Sequence, residues 1–355
     1  MSLKDRRPAI YALGLISLLF LAAALAFLAK PLAIRDVMLA ASLRMERALE
    51  AVRECRDSRG IAMDSVTDIN RTGLIGLDTS IITTSLGNLE AKRTTTNPNF
   101  AALVTLLLQQ AGVRKGGVVA IGASSSFPAL IMASLCAVES LEARGLLICS
   151  LGASQWGANR PDFNWLDMLG CLNRSGLLST RPLALSLGGD QDMGKDMSPE
   201  GRALLVRMGK ETGLAFISEP DLERNVGERL RLFETEAGEP GIQAFINIGG
   251  SYANMGTDSE ILKVGPGLAD FSRIPSRERR GVIFEMAARR IPVIHLLYVK
   301  GLCDRFGLPW DPSPLPKAGE AKLFGTKGVD SRTFFILAGA YFLVFVTALA
   351  IAVRS

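Results

Sequence analysis

Between residues 117 and 296 the chain alternates short apolar runs with stretches of helical pattern. The apolar runs are 118–121, 146–150, 183–187, 214–217, 243–248 and 292–296. The helical patterns are 127–143, 161–175, 198–212, 220–234 and 276–289, with an earlier one at 98–112. Short apolar strands alternating with helices are typical of a parallel sheet covered on both faces. We therefore predict one Rossmann-like α/β domain with a mostly parallel sheet, right-handed crossovers and helices on both faces.

Two uncharged apolar runs flank this region. They cover residues 9–29 (AIYALGLISLLFLAAALAFLA) and 333–353 (TFFILAGAYFLVFVTALAIAV). As a helix, each run is long enough to cross the ~30 Å hydrocarbon core of a bilayer. We therefore predict one N-terminal and one C-terminal transmembrane helix flanking the α/β domain. For the first run, a cleaved signal peptide is the alternative.

The charges of the N-terminal tail favour one orientation in the membrane. Lys4, Arg6 and Arg7 outweigh Asp5 there, which favours a cytoplasmic N-terminus and an extracytoplasmic central domain. Cations on the other side of each apolar run favour the opposite orientation. The predicted location is the cell membrane (inner or plasma), crossed twice. The predicted segments are a tail 1–8, a transmembrane helix 9–29, an amphipathic helical connector 30–80, the α/β domain 81–306, a Pro/Gly-rich linker 307–332, a transmembrane helix 333–353 and a tail 354–355.

Charge and cysteine content narrow the function classes. The net charge is +5, and no basic cluster carries interleaved aromatic residues, so we predict no nucleic-acid partner. The mild positive charge fits a membrane surface or a polyanion. The five cysteines are odd in number and include no CxxC pair, which predicts neither a disulfide framework nor a metal site. Cys136 and Cys149 lie in apolar patterns and are expected to be buried thiols. We predict no cofactor.

Three predicted strands end in loops rich in Gly and Ser: GASSSFP (122–128), SLGASQWGAN (150–159) and NIGGSYANMG (247–256). Ligands of open α/β sheets bind at the carboxyl ends of strands, where backbone N–H groups and helix starts favour carboxylate or phosphate. The predicted substrate- or anion-binding residues in these loops are Gly122, Ser125, Gly152, Ser154, Asn159, Gly249, Gly250, Ser251 and Asn254. Alternatively, these residues only form turns and helix caps.

A cationic segment lies just upstream, in GNLEAKRTTTNPNF (87–100). Arg can bind a carboxylate through two hydrogen bonds, and Lys acts as a point charge. The predicted anion-binding residues of this segment are Lys92, Arg93, Thr94, Thr95 and Asn97. The alternative is a helix cap with both cations in solvent.

The GASSS segment also permits a serine nucleophile. It resembles the G-x-S-x-G turn, with Ser126 where the second Gly belongs. The candidate nucleophiles are Ser124 and Ser126, and the candidate base is His295, the only histidine, or Lys92 in a Ser–Lys variant. His295 lies in the apolar run IPVIHLLYV, which is more typical of a core residue.

The loop GGDQDMGKD (188–196) begins like a calcium loop but lacks the later ligands. A calcium-binding loop needs Asp or Asn at its fifth position and Glu at its twelfth. We predict a solvated turn and no metal site.

The chain resembles the poly-γ-glutamate system protein family. The segments that carry the resemblance are TSLGNLEAKRTTTNPNFAAL (84–103), GVVAIGASSSFPAL (117–130), SLGASQWGANRPDFNWLDM (150–168), FINIGGSYANMGT (245–257) and IPVIHLLYVKGLCDRFGLPWDP (291–312). The resemblance implies a membrane-anchored accessory protein of poly-γ-glutamate biosynthesis or export. Its implied partners are poly-γ-glutamate or its glutamyl precursors, the poly-γ-glutamate synthase membrane complex and the lipid bilayer. The alternatives are a γ-glutamyl polymer hydrolase or transferase with a serine nucleophile, and a non-catalytic scaffold.

Overall fold

The computed structural model describes the backbone of residues 7–31, 33–325, 327–329 and 331–354. The helices are α1 Arg7–Leu28, α2 Arg35–Ser58, α3 Leu89–Thr95, α4 Asn99–Gln110, α5 Pro128–Ser140, α6 Trp165–Arg174, α7 Pro199–Glu211, α8 Leu222–Ala237, α9 Tyr252–Met255, α10 Val282–Ala288, α11 Val299–Phe306 and α12 Ser331–Arg354. The strands are β1 Ala29–Pro31, β2 Val118–Ser124, β3 Arg144–Ser150, β4 Asn159–Arg160, β5 Phe163–Asn164, β6 Ala184–Ser186, β7 Ala215–Ile217, β8 Ile242–Ile248, β9 Gly267–Leu268, β10 Val293–Leu296 and β11 Lys327–Val329.

The described residues form two compact units, a smaller one up to Arg35 and from Gly325 onward, and a larger one, Asp36–Phe324. In the smaller unit β1 pairs antiparallel with β11, and Ser17 Oγ lies 2.9 Å from the hydroxyl of Tyr341. Most of the predicted tail 1–8, and Ser355 of the predicted tail 354–355, lie outside the described residues.

Helices α1 and α12 contain most of the two apolar runs, yet neither supports the membrane prediction. Over the part of the chain that the structure describes, none of the helices is both long and apolar enough to cross a membrane. This finding contradicts the predicted transmembrane helices 9–29 and 333–353. The predicted two-pass localisation in the cell membrane is therefore wrong.

The larger unit is an α/β fold with a mostly parallel sheet. Its seven strands lie in the order β7-β6-β3-β2-β8-β10-β9, and only the short edge strand β9 runs antiparallel to its neighbour. All seven residues of β2 are buried, as expected for a central strand of a parallel sheet. The six predicted apolar runs correspond to the six parallel strands.

The strand order reverses next to β2. From β2 the chain moves outward through β3, β6 and β7, and then returns to the other side of β2 to form β8 and β10. Right-handed crossovers in opposite directions place their helices on opposite faces of a sheet. The loops that leave the carboxyl ends of β2 and β8 therefore diverge, which opens a crevice of the kind where α/β proteins bind ligands.

The segments on both sides of the α/β domain belong to the larger unit. Helix α2 buries Met38, Met45 and Val52, and a disulfide joins its Cys55 to Cys171 of α6. The cysteine pattern gave no sign of this disulfide. In the segment predicted as a linker, the Lys317 carbonyl oxygen accepts a hydrogen bond from the Asn99 side chain at 3.0 Å. These contacts attach the predicted connector and the first part of the predicted linker to the domain.

A buried ion pair holds the loop after β6. The guanidinium of Arg229, on α8, donates to Asp192 Oδ2 at 2.6 Å, and both side chains are at most 4% exposed. Asp192 also accepts hydrogen bonds from the Ser186 hydroxyl at 2.8 Å and the Asn225 amide at 3.1 Å. Asp192 and the preceding Gln191 both have positive φ, 60° and 54°. The network therefore fixes a backbone conformation that residues other than Gly rarely adopt.

We expect Arg229→Met to lower the free energy of unfolding by about 3 to 5 kcal/mol, because it leaves Asp192 buried without its charged partner. Arg231→Met, at an exposed position of the same helix, is the matched control and should change stability by less than about 0.5 kcal/mol. Urea unfolding followed by circular dichroism measures both. Equal stability of the two variants would contradict this assignment.

Candidate functional site

A cavity of about 650 Å³ lies at the carboxyl end of the sheet. Its wall contains residues that follow β2, β3, β6, β8 and β10, together with the segment 84–88 and Lys92 of α3. Most of its polar side chains carry hydroxyls: Thr84, Ser85, Ser124, Ser126, Ser150, Ser154, Ser251 and Tyr252. The volume falls in the range of small-molecule sites.

The register of the sheet brings two cavity serines together. Ser124, the last residue of β2, pairs with Ser150, the last residue of β3. Ser125 is wholly buried, and its hydroxyl donates to the Ser150 carbonyl oxygen at 2.5 Å. It therefore joins the two strands rather than facing the cavity. Its neighbours on either side, Ser124 and Ser126, line the cavity.

Ser126 connects the loops that follow β2 and β3. Its hydroxyl oxygen accepts hydrogen bonds from the Ser154 backbone N–H and from the Ser124 hydroxyl, both at 2.9 Å. The close approach needs a glycine at position 157, where a Cβ would lie 2.8 Å from the Cα of Ser126. The predicted loops GASSSFP and SLGASQWGAN therefore meet, and Ser154 lies at their junction.

Lys92 places an amine against this junction. It lies on α3, whose N-terminus is capped by the Asn88 side chain, and it is only 3% exposed. Its Nζ donates to the Ser126 carbonyl oxygen at 2.5 Å and contacts Ser154 Oγ at 2.8 Å. It also lies 3.7 Å from the centre of the Phe127 ring.

Burial shifts the proton equilibrium of this amine. No ion pair among the described residues includes Lys92, and desolvation lowers its pKa to about 7. The ring face of Phe127 favours the charged form, but the loss of water outweighs it. Near neutral pH a large fraction of Lys92 is therefore the neutral amine, which has a lone pair that can accept a proton.

The other predicted residues of the cationic segment do not line the cavity. Arg93 binds Asp311 through two hydrogen bonds of 2.7 and 2.5 Å, which raise the pKa of the guanidinium. Thr94 accepts a hydrogen bond from the backbone N–H of Asp311, and the Thr95 hydroxyl donates to the Lys92 carbonyl oxygen. Asn97 accepts hydrogen bonds from Asn99 at the start of α4. These four residues have structural partners.

The predicted loop residues divide in the same way. Ser154, Gly250 and Ser251 line the cavity. The remainder, which the cavity wall does not include, are Gly122, Ser125, Gly152, Asn159, Gly249 and Asn254. Asn159 illustrates their roles, since its buried amide exchanges hydrogen bonds of 2.8 Å with the backbone of Leu77.

His295 is a core residue. It lies in β10 beside Asn247 of β8, is 2% exposed, and its Nδ1 lies 2.9 Å from the Asn247 amide nitrogen. Burial lowers its pKa to about 4, so it stays neutral at physiological pH. Within the described residues it has no hydrogen bond to a serine and does not line the cavity. The titratable side chain that the structure brings to the serines is that of Lys92.

Sequence reasoning missed seven polar residues of the cavity: Thr84, Ser85, Asn88, Ser150, Asp190, Asp196 and Tyr252. Ser150 ends the second strand, and its hydroxyl has no hydrogen-bond partner among the described residues although Ser150 is 2% exposed. The two aspartates follow the third strand, in the loop considered only as a calcium site. The rule that ligands bind at carboxyl ends of strands applies to that loop as well and would have included it.

Comparison with family models, curated proteins and solved structures finds no match for this chain.

We expect the stability difference between the wild type and Lys92→Met to depend on pH. The folded-state pKa is about 7 and the ordinary value is 10.5, so between these values the unfolded chain binds the extra proton. The free energy of unfolding of the wild type should therefore rise, relative to the variant, by about 2 to 3 kcal/mol from pH 7 to pH 9. Urea unfolding at a series of pH values measures this. A constant difference would show that Lys92 titrates normally.

Proposed function

We propose that this protein is an acyl-transfer enzyme, an amide hydrolase or transferase, in which Ser154 is the nucleophile and Lys92 the general base. The observation that carries the proposal is the 2.8 Å contact between Lys92 Nζ and Ser154 Oγ at the wall of the cavity. A serine hydroxyl is a weak nucleophile until an adjacent base removes its proton. A lysine serves as that base when burial brings its pKa near neutrality.

The hydrogen bonds around the amine suit this role. A neutral amine has two N–H donors and one lone pair. One N–H donates to the Ser126 carbonyl oxygen at 2.5 Å, which orients the nitrogen. The lone pair then accepts the Ser154 hydroxyl proton along the 2.8 Å contact.

The reaction follows in two halves. Ser154 Oγ attacks the substrate carbonyl carbon and its proton passes to Lys92 Nζ. The tetrahedral intermediate collapses, the C–N bond breaks, and the leaving amine takes the proton from Lys92. Water then attacks the acyl-serine in hydrolysis, or a second amine attacks it in transfer, and Lys92 accepts the proton. The bond between the acyl carbon and Ser154 Oγ then breaks, and Oγ takes the proton back from Lys92, which releases the product and restores the enzyme.

Ser124 and Ser126, the nucleophiles considered from sequence, fit supporting roles better. The Ser126 hydroxyl oxygen accepts two hydrogen bonds, one of them from the Ser154 backbone, and so positions the nucleophile. Ser124 donates to Ser126. Neither side chain has a hydrogen bond to Lys92 among the described residues, whereas Ser154 does.

The proposed substrates are γ-glutamyl amides, including poly-γ-glutamate and its precursors. This choice is supported by the resemblance to the poly-γ-glutamate system family in segments that contain Lys92, Ser126 and Ser154. These amides carry the carbonyl group and amine leaving group that the proposed reaction requires. The synthase complex of that pathway remains a proposed partner.

We expect Ser154→Ala to lower kcat/KM for γ-glutamyl oligomer cleavage by about three orders of magnitude or more, because it removes the nucleophile. Ser85→Ala, an exposed hydroxyl of the same cavity, is the matched control and should retain activity. Product analysis by mass spectrometry, with covalent labelling by a fluorophosphonate, measures both. Full activity and labelling of Ser154→Ala would overturn the proposal.

We expect Lys92→Arg to be as inactive as Lys92→Met, although it keeps the positive charge. A guanidinium does not lose its proton near neutral pH and cannot act as a base. In the wild type, kcat/KM should rise with pH through about 7, the pKa of Lys92. Substantial activity of Lys92→Arg would exclude Lys92 as the base.

A second candidate function is non-catalytic binding of an anionic polymer such as poly-γ-glutamate. Lys92 favours it, as the one cation among the described residues that line the cavity. In this case binding should weaken with added salt, persist in Ser154→Ala and Lys92→Arg, and fall in Lys92→Met. Fluorescence anisotropy with labelled polymer measures these affinities, and absence of binding to the wild type would exclude this candidate.

A further inference from the structure

The cavity has an acidic wall. Asp190 and Asp196 both line it, and within the part of the chain that the structure describes neither belongs to an ion pair. Lys92, which lines the same cavity, carries only part of a positive charge near neutral pH, because burial lowers its pKa to about 7. The cavity therefore carries two carboxylates with little balancing positive charge.

The two carboxylates belong to a constrained loop. Between them Asp192 accepts a hydrogen bond from the Gly188 backbone N–H at 3.0 Å and forms the buried ion pair with Arg229. Asp196 packs closely against Gly189, since a Cβ at position 189 would lie 2.1 Å from Asp196 Oδ1. The wall is thus part of the packed fold.

The pKa of Asp196 is consistent with a missing counter-charge. Burial raises it, and the charge of Asp190 raises it further, against hydrogen bonds from the backbone that lower it. The two carboxylates of the cavity wall repel each other, and a bound cation relieves both the repulsion and the loss of water.

A second, independent feature beside this loop points to a ligand. Ser150 lines the cavity and is 2% exposed, and in the part of the chain that the structure describes its hydroxyl lacks a hydrogen-bond partner. It lies against the loop, since a Cβ at Gly188 would be 2.7 Å from Ser150 Oγ. A buried hydroxyl without a partner costs about 1 to 3 kcal/mol, which a ligand with a hydrogen-bonding group offsets.

An ammonium group fits this wall better than a metal ion. Calcium takes six to eight oxygen ligands and magnesium near-octahedral ones. Among the described residues, no group of three or more His, Cys, Asp or Glu side chains is placed to hold a metal. An ammonium needs only about three acceptors, which two carboxylates and a hydroxyl provide.

We propose that Asp190 and Asp196 bind a protonated amine of the acyl substrate beside Ser150, so that the site takes aminoacyl amides in preference to neutral or anionic ones. The inference rests on the proposed acyl-transfer function for its chemistry, but binding alone tests it. A γ-linked glutamyl chain carries such an amine at its free end, whereas its interior units carry only carboxylates. The acidic wall therefore selects the amine-bearing end of the chain.

The test compares three amides of similar length that differ in charge. They are 4-aminobutyramide, which is cationic, pentanamide, which is neutral, and glutaramate, which is anionic. NMR titration of the full chain at pH 7.5 and low salt measures their dissociation constants. We expect 4-aminobutyramide to bind about tenfold more tightly than pentanamide, and glutaramate to bind most weakly.

The variants Asp190→Asn and Asp196→Asn should each reduce the preference for 4-aminobutyramide by about three- to tenfold and leave pentanamide binding unchanged. Asp270→Asn removes an exposed carboxylate outside this cavity and is the matched control. Tighter binding of glutaramate, or three equal affinities including no binding, overturns the inference. This test measures binding and does not depend on catalysis. A Ser154→Ala variant that keeps full activity would refute the proposed nucleophile, and the preference for the amine could still be measured.

Discussion

The arrangement of the cavity depends on the contacts of the buried Lys92 amine. It joins three segments that are distant in sequence: helix α3, the loop after β2 through the Ser126 carbonyl, and the loop after β3 through Ser154. Burying an ammonium costs several kcal/mol when no carboxylate is beside it. The fold therefore lowers the pKa of this amine to about 7, which is the property that the proposed base requires.

The sheet could be predicted from the sequence because its signal is local. An apolar run of four to seven residues between Gly and Ser turns indicates a buried strand wherever it occurs, and the carboxyl ends of such strands meet at one edge. This reasoning located the serine loops and Ser154. It said nothing of strand order, and hence nothing of which loops lie next to each other.

The contacts that side chains make could not be predicted, because they depend on how helices and strands pack against each other. Lys92 and Arg93 are adjacent on α3, and successive helical residues point about 100° apart, so the sequence alone does not say which one faces the ligand. Arg93 instead meets Asp311, 218 positions away. The disulfide is equally non-local, since Cys55 and Cys171 are 116 positions apart and come together only when α2 packs.

The charge of the cavity separates the two candidate functions. A site for a polyanion needs fixed cations, yet Arg93 is neutralised by Asp311, Lys92 loses its proton near neutral pH, and two aspartates line the same cavity. Each of these features weakens the attraction for a chain of carboxylates. The same features suit an acyl substrate with an amine, for which a neutral lysine is the base and the aspartates are the counter-charge.

The Arg93–Asp311 ion pair helps to orient helix α3. Helix α3 has only seven residues, too few to be stable by itself, and its orientation decides where Lys92 points. Arg93 binds Asp311 with both guanidinium hydrogen bonds, and Glu90 accepts a further one from the Trp310 indole at 3.2 Å. The segment after α11 thus holds α3 from outside while Lys92 reaches inward. Arg93, the cation expected to bind substrate, instead positions the neighbouring residue that we propose as the base.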